Sequence, residues 1–539
     1  MKDEILVGRN NNFNNLYCDF SKANLIERYN NFNLSLRKNK LNQIIEKKRS
    51  EKKEKSHNLN LNCEKILNIS SNLNQLKRDL NSNNNNIITL ALMKINDFFQ
   101  EFDLENEKEI NFFFENFFEE ITNILKNKNF THSNIITIIF INIFASNELI
   151  DKIDSKYKLN LIREDYLLIY KNIIEQKIEE LSINLFWFFC NLFYNQELLC
   201  YKILENSDFI KVVVNALKTR FPGIFCRVID FLFSICNIKN YELISQFNDN
   251  HINNLCLITS NLIELFRYKN TDEKKDQLNK KTILDCLDNI IELQSKNEIY
   301  EILINSNFNF MIYLIQFLQY NMITYIQNEN LLYSAIKFLN NFIKNGTYSS
   351  IQQILSYNLL ELYSILYKNK KCLNNSKNDV INCILETIQN ICEFRYELCL
   401  IILKNELFDI IISDINNEFN PKSTKLNFLK IISDILGYQK IESNDLILSK
   451  NIILEIVYPI FNQYYEDVDA LSLIIQIFHY LLEYDIYSEN YNEQIKKIRG
   501  LVELILEKIQ FLIPIKLYDL LKQDSIEKEK PVKITFSYA

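Results

Sequence analysis

Apolar residues recur at three- and four-residue spacing from Ile87 onward, in short segments separated by polar patches. This spacing predicts helices with one apolar face, and no alternating pattern of useful length predicts strands. One kind of apolar segment returns along the chain, at 87–99, 135–145, 183–194, 226–238, 282–293, 333–346, 382–394, 426–437 and 470–484. The fold class is therefore predicted to be all-α and repetitive.

Each returning segment carries a polar residue at its middle or end, and these residues follow one another at steps of 44 to 52 positions. They are Asn96, Asn142, Asn191, Asn237, Asn289, Asn341, Asn390, Asp434 and His479. A period of this length is typical of a solenoid of two- or three-helix units. The segments 351–355 and 359–366 predict two short helices before the next returning segment. Three helices per unit favour armadillo repeats over two-helix HEAT units, in one continuous stacked core.

Composition agrees with helices joined by short connections. The 539 residues include only five Gly and five Pro, and with 47% apolar and 24% charged residues wholesale disorder is excluded. Asn is abundant where turns are expected, for example at 81–86 and at Asn374, Asn375 and Asn378. Asn tolerates the left-handed conformation and can close helices in place of Gly, although the surplus is equally explained by a compositionally biased genome.

The charge is unevenly distributed. The net charge of -7 disfavours nucleic acid as a partner, yet a basic arm at 34–56 concentrates positive charge. Its cations include two clusters: Arg37, Lys38 and Lys40, and then Lys47, Lys48 and Arg49.

Candidate catalytic and metal-binding residues are scarce. The twelve Cys include no pair with the spacing of a zinc knuckle or redox motif, and most lie in apolar helical segments as small core residues, for example Cys190, Cys236, Cys286 and Cys383. The four His, which are His57, His132, His251 and His479, are isolated, and no Gly-rich phosphate loop exists. We expect no enzyme, no cofactor, no metal, no secretory signal and no membrane insertion.

Two stretches of the array resemble importin alpha, the adaptor that carries nuclear localisation signals. The stretch FWFFCNLFYNQELLCYKIL has Trp187 four residues before Asn191, and AIKFLNNFIKNGTYSSIQQIL has Asn341 followed by Gly346 and Thr347. The segment CILETIQNI, with Asn390, is similar to the repeat just after it. Residues at i and i+4 share a helix face, so Trp187 and Asn191 project together.

The resemblance implies a right-handed armadillo superhelix whose concave groove binds cargo peptides. The Asn side chains would bind the peptide backbone, and the aromatic rings would hold Lys and Arg stems. The implied groove residues are Asn142, Trp187, Asn191, Phe233, Asn237, Asn289, Asn341 and Asn390. Ile138, Phe233, Asp285, Lys337 and Glu386 replace the Trp that would accompany the other Asn, and Glu197 and Asp230 are the candidates for a cargo-binding acid.

The basic arm is similar to the importin beta-binding segment of the same family. Arg37, Lys38 and Lys40 match its first cluster, and Lys47, Lys48 and Arg49 match its second. The resemblance implies importin beta and cargo proteins as partners, an export receptor as a further candidate, and shuttling between cytoplasm and nucleus. The second cluster would also fold back into an empty groove. The alternatives are a solvated helix, or a nuclear localisation signal in its own right.

The chain is thus expected to have a disordered N-terminus at 1–33, the arm at 34–56, an Asn-rich linker at 57–86, about nine to ten repeats at 87–520, and a mobile tail at 521–539. The expected function is a nuclear import adaptor. The alternative is an armadillo scaffold that binds another extended peptide and has no part in import.

Overall fold

The structure is a computed structural model of the 539-residue chain. It describes residues 73–101, 107–126, 129–145, 150–151, 153–219, 221–267, 273–293, 297–305, 309–320, 329–370, 373, 377–417, 420–465, 467–485 and 499–503. The predicted N-terminus, the basic arm with Arg37, Lys38, Lys40, Lys47, Lys48 and Arg49, and the predicted C-terminal tail all lie outside the described residues.

The chain divides into two units, 1–81 and 82–539. In the first unit, the described part contains a helix at 73–80, within the segment predicted as a linker.

The second unit is a succession of helices. Its first half contains α1 Asn85–Glu101, α2 Glu107–Lys126, α3 Phe130–Ile143, α4 Ser155–Asn160, α5 Glu164–Glu175, α6 Glu179–Phe193, α7 Glu197–Glu205, α8 Ser207–Ala216, α9 Pro222–Ile235, α10 Tyr241–Ser245 and α11 Asp249–Phe266. Its second half contains α12 Glu273–Leu293, α13 Asn297–Asn305, α14 Phe310–Tyr320, α15 Glu329–Asn345, α16 Tyr348–Leu355, α17 Leu359–Lys368, α18 Lys377–Phe394, α19 Tyr396–Leu403, α20 Glu406–Ile415, α21 Lys422–Gly437, α22 Ile441–Ser449, α23 Tyr458–Tyr464 and α24 Val468–Asp485. A π-helical turn, Ile453–Val457, leads into α23. No strand occurs in the described ranges.

Within residues 82–539, one helix of every repeat belongs to a row in which each helix packs on the next. We call α1, α3, α6, α9, α12, α15, α18, α21 and α24 the third-helix row. Each returning segment of the sequence overlaps one member of this row, which confirms the predicted repeat. The two short helices expected at 351–355 and 359–366 are α16 and α17.

Aromatic and aliphatic side chains fill the space between successive units. The Phe140 and Phe188 rings, from α3 and α6, lie 5.3 Å apart between centroids, and Phe186 of α6 lies 5.9 Å from Phe231 of α9. These rings are almost fully buried. Because each repeat covers its apolar face with its neighbours, the core runs through the described part of the array as a solenoid.

Asn residues close and open many helices. Asn195, Asn358 and Asn451 have φ of 53°, 64° and 53°, whereas no described Gly has a positive φ. Asn129 and Asn206 cap α3 and α8 by accepting hydrogen bonds from backbone N–H groups of the first turn. The expectation that Asn takes left-handed positions is thus met at Asn195, Asn358 and Asn451, but not at the Asn residues of 81–86, and Lys177 and Gln439 adopt the same conformation.

The Cys residues of the described part have reduced thiols. Cys236, Cys286 and Cys383 are buried as expected, whereas Cys190 is half-buried and its Sγ donates to the Arg227 carbonyl oxygen.

Candidate peptide-binding face

The Asn residues of the returning segments lie at corresponding places on the third-helix row. Asn96, Asn142, Asn191, Asn289, Asn341 and Asn390 lie in the later part of their helices, and all are half-buried. Asn237 departs from this arrangement because α9 ends at Ile235, which leaves Asn237 in the following turn. In α21 and α24 the place is taken by the half-buried Asp434 and His479. We call these residues the polar ladder.

Most ladder amides donate hydrogen bonds to the preceding helix of the row. Asn142 Nδ2 donates to Asn96 Oδ1 at 3.1 Å, Asn191 Nδ2 to the Ile141 carbonyl at 3.4 Å, and Asn390 Nδ2 to Asn340 Oδ1 at 2.8 Å. Each bond spans 46 to 50 residues of sequence. The amides therefore tie successive units together in this structure, and only groups still open on the face are available to a ligand.

Asn289 differs from these ladder amides. Its Nδ2 is buried and has no hydrogen-bond partner among the described residues. An unsatisfied buried donor costs free energy, and this atom, being covered, is not one of the groups open to a ligand.

Trp187 is covered by a cation from the next helix of the row. The ring is half-buried on α6, one turn before Asn191, as the spacing predicts. The guanidinium carbon of Arg227, on α9, lies 4.9 Å from the ring centroid. Arg227 Nη1 also lies 3.5 Å from Asp230 Oδ2. We call Trp187, Arg227 and Asp230 the tryptophan cluster.

The other predicted aromatic positions are also half-buried, with Ile138 on α3 and Phe233 on α9. Of the two candidate acids, Asp230 lies in the row beside Arg227. Glu197 lies on α7, outside the row, and its carboxylate accepts from the backbone N–H groups of Lys239 and Asn240 at 3.2 and 3.1 Å, which fixes the start of α10.

Three carboxylates gather on α12, and we call Asp285, Asp288 and Glu292 the acidic cluster. Asp288 is buried and forms an ion pair with Lys337 of α15. Asn341 Nδ2 donates to Asp288 Oδ1 at 2.7 Å and to Glu292 Oε1 at 3.1 Å. Burial disfavours the charge on Lys337, but the Asp288 carboxylate outweighs it and holds the pKa of the ammonium above its usual range. The cation predicted to disfavour basic peptides is therefore neutralised within the chain.

Asp434 lies in an unusual environment for a carboxylate. Burial raises its pKa to about 7, and the nearby Glu393 adds to the increase. Its Oδ2 is buried without a hydrogen-bond partner among the described residues.

The His residues of the described part have structural contacts. His132 is buried, with its Nε2 at 3.2 Å from the Asn85 carbonyl and 3.1 Å from Thr89 Oγ1. His251 is buried in the capping box that begins α11. Within the described residues, no group of three or more His, Cys, Asp and Glu is placed to hold a metal ion, and no helix has the length and apolarity to cross a membrane.

Solved structures share this architecture. A chain of the structure that reports a conserved phosphorylation switch controlling the interaction between cadherin and beta-catenin, an armadillo-repeat solenoid, has a TM-score of 0.50 at 12% identity, covering 76% of this chain and 68% of its own. The fold is of armadillo type.

Two further similarities are to designed proteins. An engineered protein solved by the Northeast Structural Genomics Consortium has a TM-score of 0.57 at 13% identity over 84% of this chain and 97% of its own. A computationally designed armadillo repeat protein for modular peptide recognition has a TM-score of 0.39 at 14% identity, over 50% of this chain and 99% of its own. No family profile and no curated protein matches the sequence.

Sequence reasoning missed two features of this armadillo-type face. Arg227 was not expected on Trp187, although its place one turn before Asp230 indicates an ion pair along α9. The Asp288–Lys337 contact joins residues 49 positions apart, and no local pattern marks it.

Proposed function

We propose that this protein is a nuclear import adaptor that binds nuclear localisation signal peptides along the third-helix row. The observation that carries the proposal is the polar ladder, which repeats an Asn at corresponding places on successive helices. Trp187 stands one turn before Asn191 on the same face. Armadillo-type scaffolds typically bind peptides and are not enzymes.

The spacing of the ladder suits an extended peptide. Packed helices lie about 8–10 Å apart, and an extended chain advances about 3.4 Å per residue. One Asn would therefore meet the peptide backbone about every two to three residues. Amide side chains both donate and accept, so an Asn whose Nδ2 binds the preceding helix can still accept from a peptide backbone N–H through its Oδ1.

The basic arm supplies the second half of the proposal. Arg37, Lys38, Lys40, Lys47, Lys48 and Arg49 would bind importin beta, and the second cluster would compete for the groove when cargo is absent. Such an arm fits an acidic partner groove through charge-assisted hydrogen bonds. Movement between cytoplasm and nucleus, with an export receptor returning the adaptor, belongs to the same proposal.

A second candidate is a scaffold that binds another extended peptide outside nuclear import. The tryptophan cluster favours it, because the one Trp of the chain already holds a cation.

Importin beta binding separates the two candidates. We expect the full chain to capture importin beta in a pull-down, and reversal of Lys47, Lys48 and Arg49 to Glu to abolish capture. Reversal of three exposed lysines elsewhere, Lys156, Lys211 and Lys404, is the control and should leave capture intact. Equal capture by the chain with and without the arm would refute the import role.

The groove is tested by peptide binding. Trp187→Ala with Asn191→Ala should weaken binding of a fluorescent Lys- and Arg-rich peptide about fivefold in an anisotropy assay. The loss comes mainly from the hydrogen bond of the Asn191 side chain, because Arg227 already lies over the Trp187 ring. Asn215→Ala, at an exposed Asn on α8 outside the row, is the matched control. Unchanged affinity in the double variant would place the peptide site elsewhere.

A further inference from the structure

The tryptophan cluster brings together the groups that a bound basic peptide would use. Trp187 on α6 is the only Trp in 539 residues, and Arg227 on the neighbouring α9 lies over its ring at 4.9 Å. Asp230, one turn after Arg227, pairs with the same guanidinium at 3.5 Å. An aromatic face, a cation and a carboxylate are thus already matched within the chain.

Burial shows that this contact lies on the accessible side of the row. The Arg227 side chain is 30% exposed and that of Asp230 is 16% exposed, so neither belongs to the dry core. A cation–π contact at such a site is weak enough to exchange with a competing cation. Holding the guanidinium between the ring and Asp230 keeps it in place when no ligand is bound.

We infer that Arg227 is an internal ligand of Trp187 and that it determines which peptides this part of the face accepts. The inference rests on the proposed peptide-binding function and deepens it. A Lys or Arg of a basic peptide reaches the indole ring only by displacing Arg227, and the peptide gains little because one cation–π contact replaces another. The site therefore disfavours weakly basic peptides and admits those anchored elsewhere along the polar ladder.

Removal of Arg227 should open the indole ring to a ligand. We expect Arg227→Ala to raise the affinity for a Lys- and Arg-rich peptide about two- to fivefold, the equivalent of one cation–π contact at a partly exposed site. Arg227→Lys keeps the charge but loses the planar group, so its affinity for the peptide should lie between those of the wild type and Arg227→Ala. Arg163→Ala, which removes another exposed Arg paired with a neighbouring Asp on α5, is the matched control.

The single Trp provides a direct measurement in the full-length protein. Excitation at 295 nm reports on Trp187 alone, so acrylamide quenching and the emission maximum follow the exposure of its ring. Without peptide, Arg227→Ala should increase quenching and shift the emission to longer wavelength, whereas Arg163→Ala should change neither. Titration with the basic peptide, with a Glu-rich peptide of equal length as the comparison, then gives the affinities of the Trp-containing chains from the same signal. The affinity of Trp187→Ala, which has no Trp, comes from the anisotropy of the fluorescent basic peptide.

The outcomes separate the inference from the function on which it rests. If wild type and Arg227→Ala bind the basic peptide equally while Trp187→Ala weakens it, the peptide site stands and the internal ligand is refuted. If Arg227→Ala instead weakens binding of the Glu-rich peptide, Arg227 is itself the contact for an acidic ligand, and the inference is also overturned. If no variant binds either peptide, the proposed function falls together with the inference.

Discussion

Asp434 shows how a single side chain can make this array sensitive to pH. Burial and the neighbouring Glu393 raise its pKa to about 7, against 3.8 for an unperturbed Asp. The folded state therefore binds a proton more tightly than the unfolded state, so its stability falls as pH rises between these two values and levels off above 7. Asp434→Asn, which is uncharged, removes this dependence.

The prediction concerns the difference in free energy of unfolding between the wild type and Asp434→Asn, measured at two pH values. The free energy of unfolding of Asp434→Asn, relative to wild type, should rise by about 1 to 2 kcal/mol between pH 5 and pH 8 after allowance for solvent screening. Urea titrations followed by circular dichroism measure it. An identical difference at both pH values would show that Asp434 has an ordinary pKa in the folded chain.

At the residue scale, the sequence predicted which positions carry polar groups but not what those groups bind. Asn191 and Asn390 were expected to face the groove, and both donate instead to the preceding helix of the row. Their partners lie 50 residues away. Periodicity places a side chain on a helix face, but the neighbour that faces it is set by how successive units stack.

At the element scale, the junction between α15 and α16 depends on one Gly and one cap. A Cβ on Gly346 would lie 2.8 Å from the Phe342 carbonyl oxygen and 2.9 Å from Ser350 Oγ. Ser350 and Thr347 form the capping box of α16, so the junction cannot relax without losing a hydrogen bond.

We expect Gly346→Ala to destabilise the chain by about 1–3 kcal/mol, the usual cost of overpacking. Gly500→Ala is the matched control, because its Cβ would meet no atom within 4 Å and Ala has the better helix propensity. Thermal unfolding of the two variants gives the comparison. A loss of stability in Gly500→Ala as large as that in Gly346→Ala would remove the steric explanation.

The elements themselves were largely predictable because apolar spacing reports helix faces directly. The main errors are at the ends. The helix expected at 282–293 begins at Glu273, since its first turns are rich in charged residues and carry little apolar signal. The helix expected to reach residue 238 ends at Ile235, and this displaces Asn237 into a turn. The apolar pattern did not predict the π-helical turn Ile453–Val457.

At the scale of the whole molecule, stability should come from contacts between adjacent units, because each unit of a solenoid touches only its neighbours. The Lys337–Asp288 ion pair is such a contact, between α15 and α12. Asp288 is 4% exposed, so removal of its partner leaves a carboxylate in a dry environment. The Lys404–Glu442 pair also joins successive units, but both side chains are more than half exposed.

Lys337→Met should therefore lower the free energy of unfolding by about 1–3 kcal/mol. This is less than for a fully buried pair, because Lys337 itself is 32% exposed. Lys404→Met should lower the free energy of unfolding by no more than about 0.5 kcal/mol. Because coupling in a solenoid passes only through neighbours, hydrogen exchange in Lys337→Met should accelerate in α12 and α15 before it changes in α3 or α21. Uniform acceleration of exchange along the array would contradict this expectation, because it would mean that all the repeats unfold together in one cooperative step.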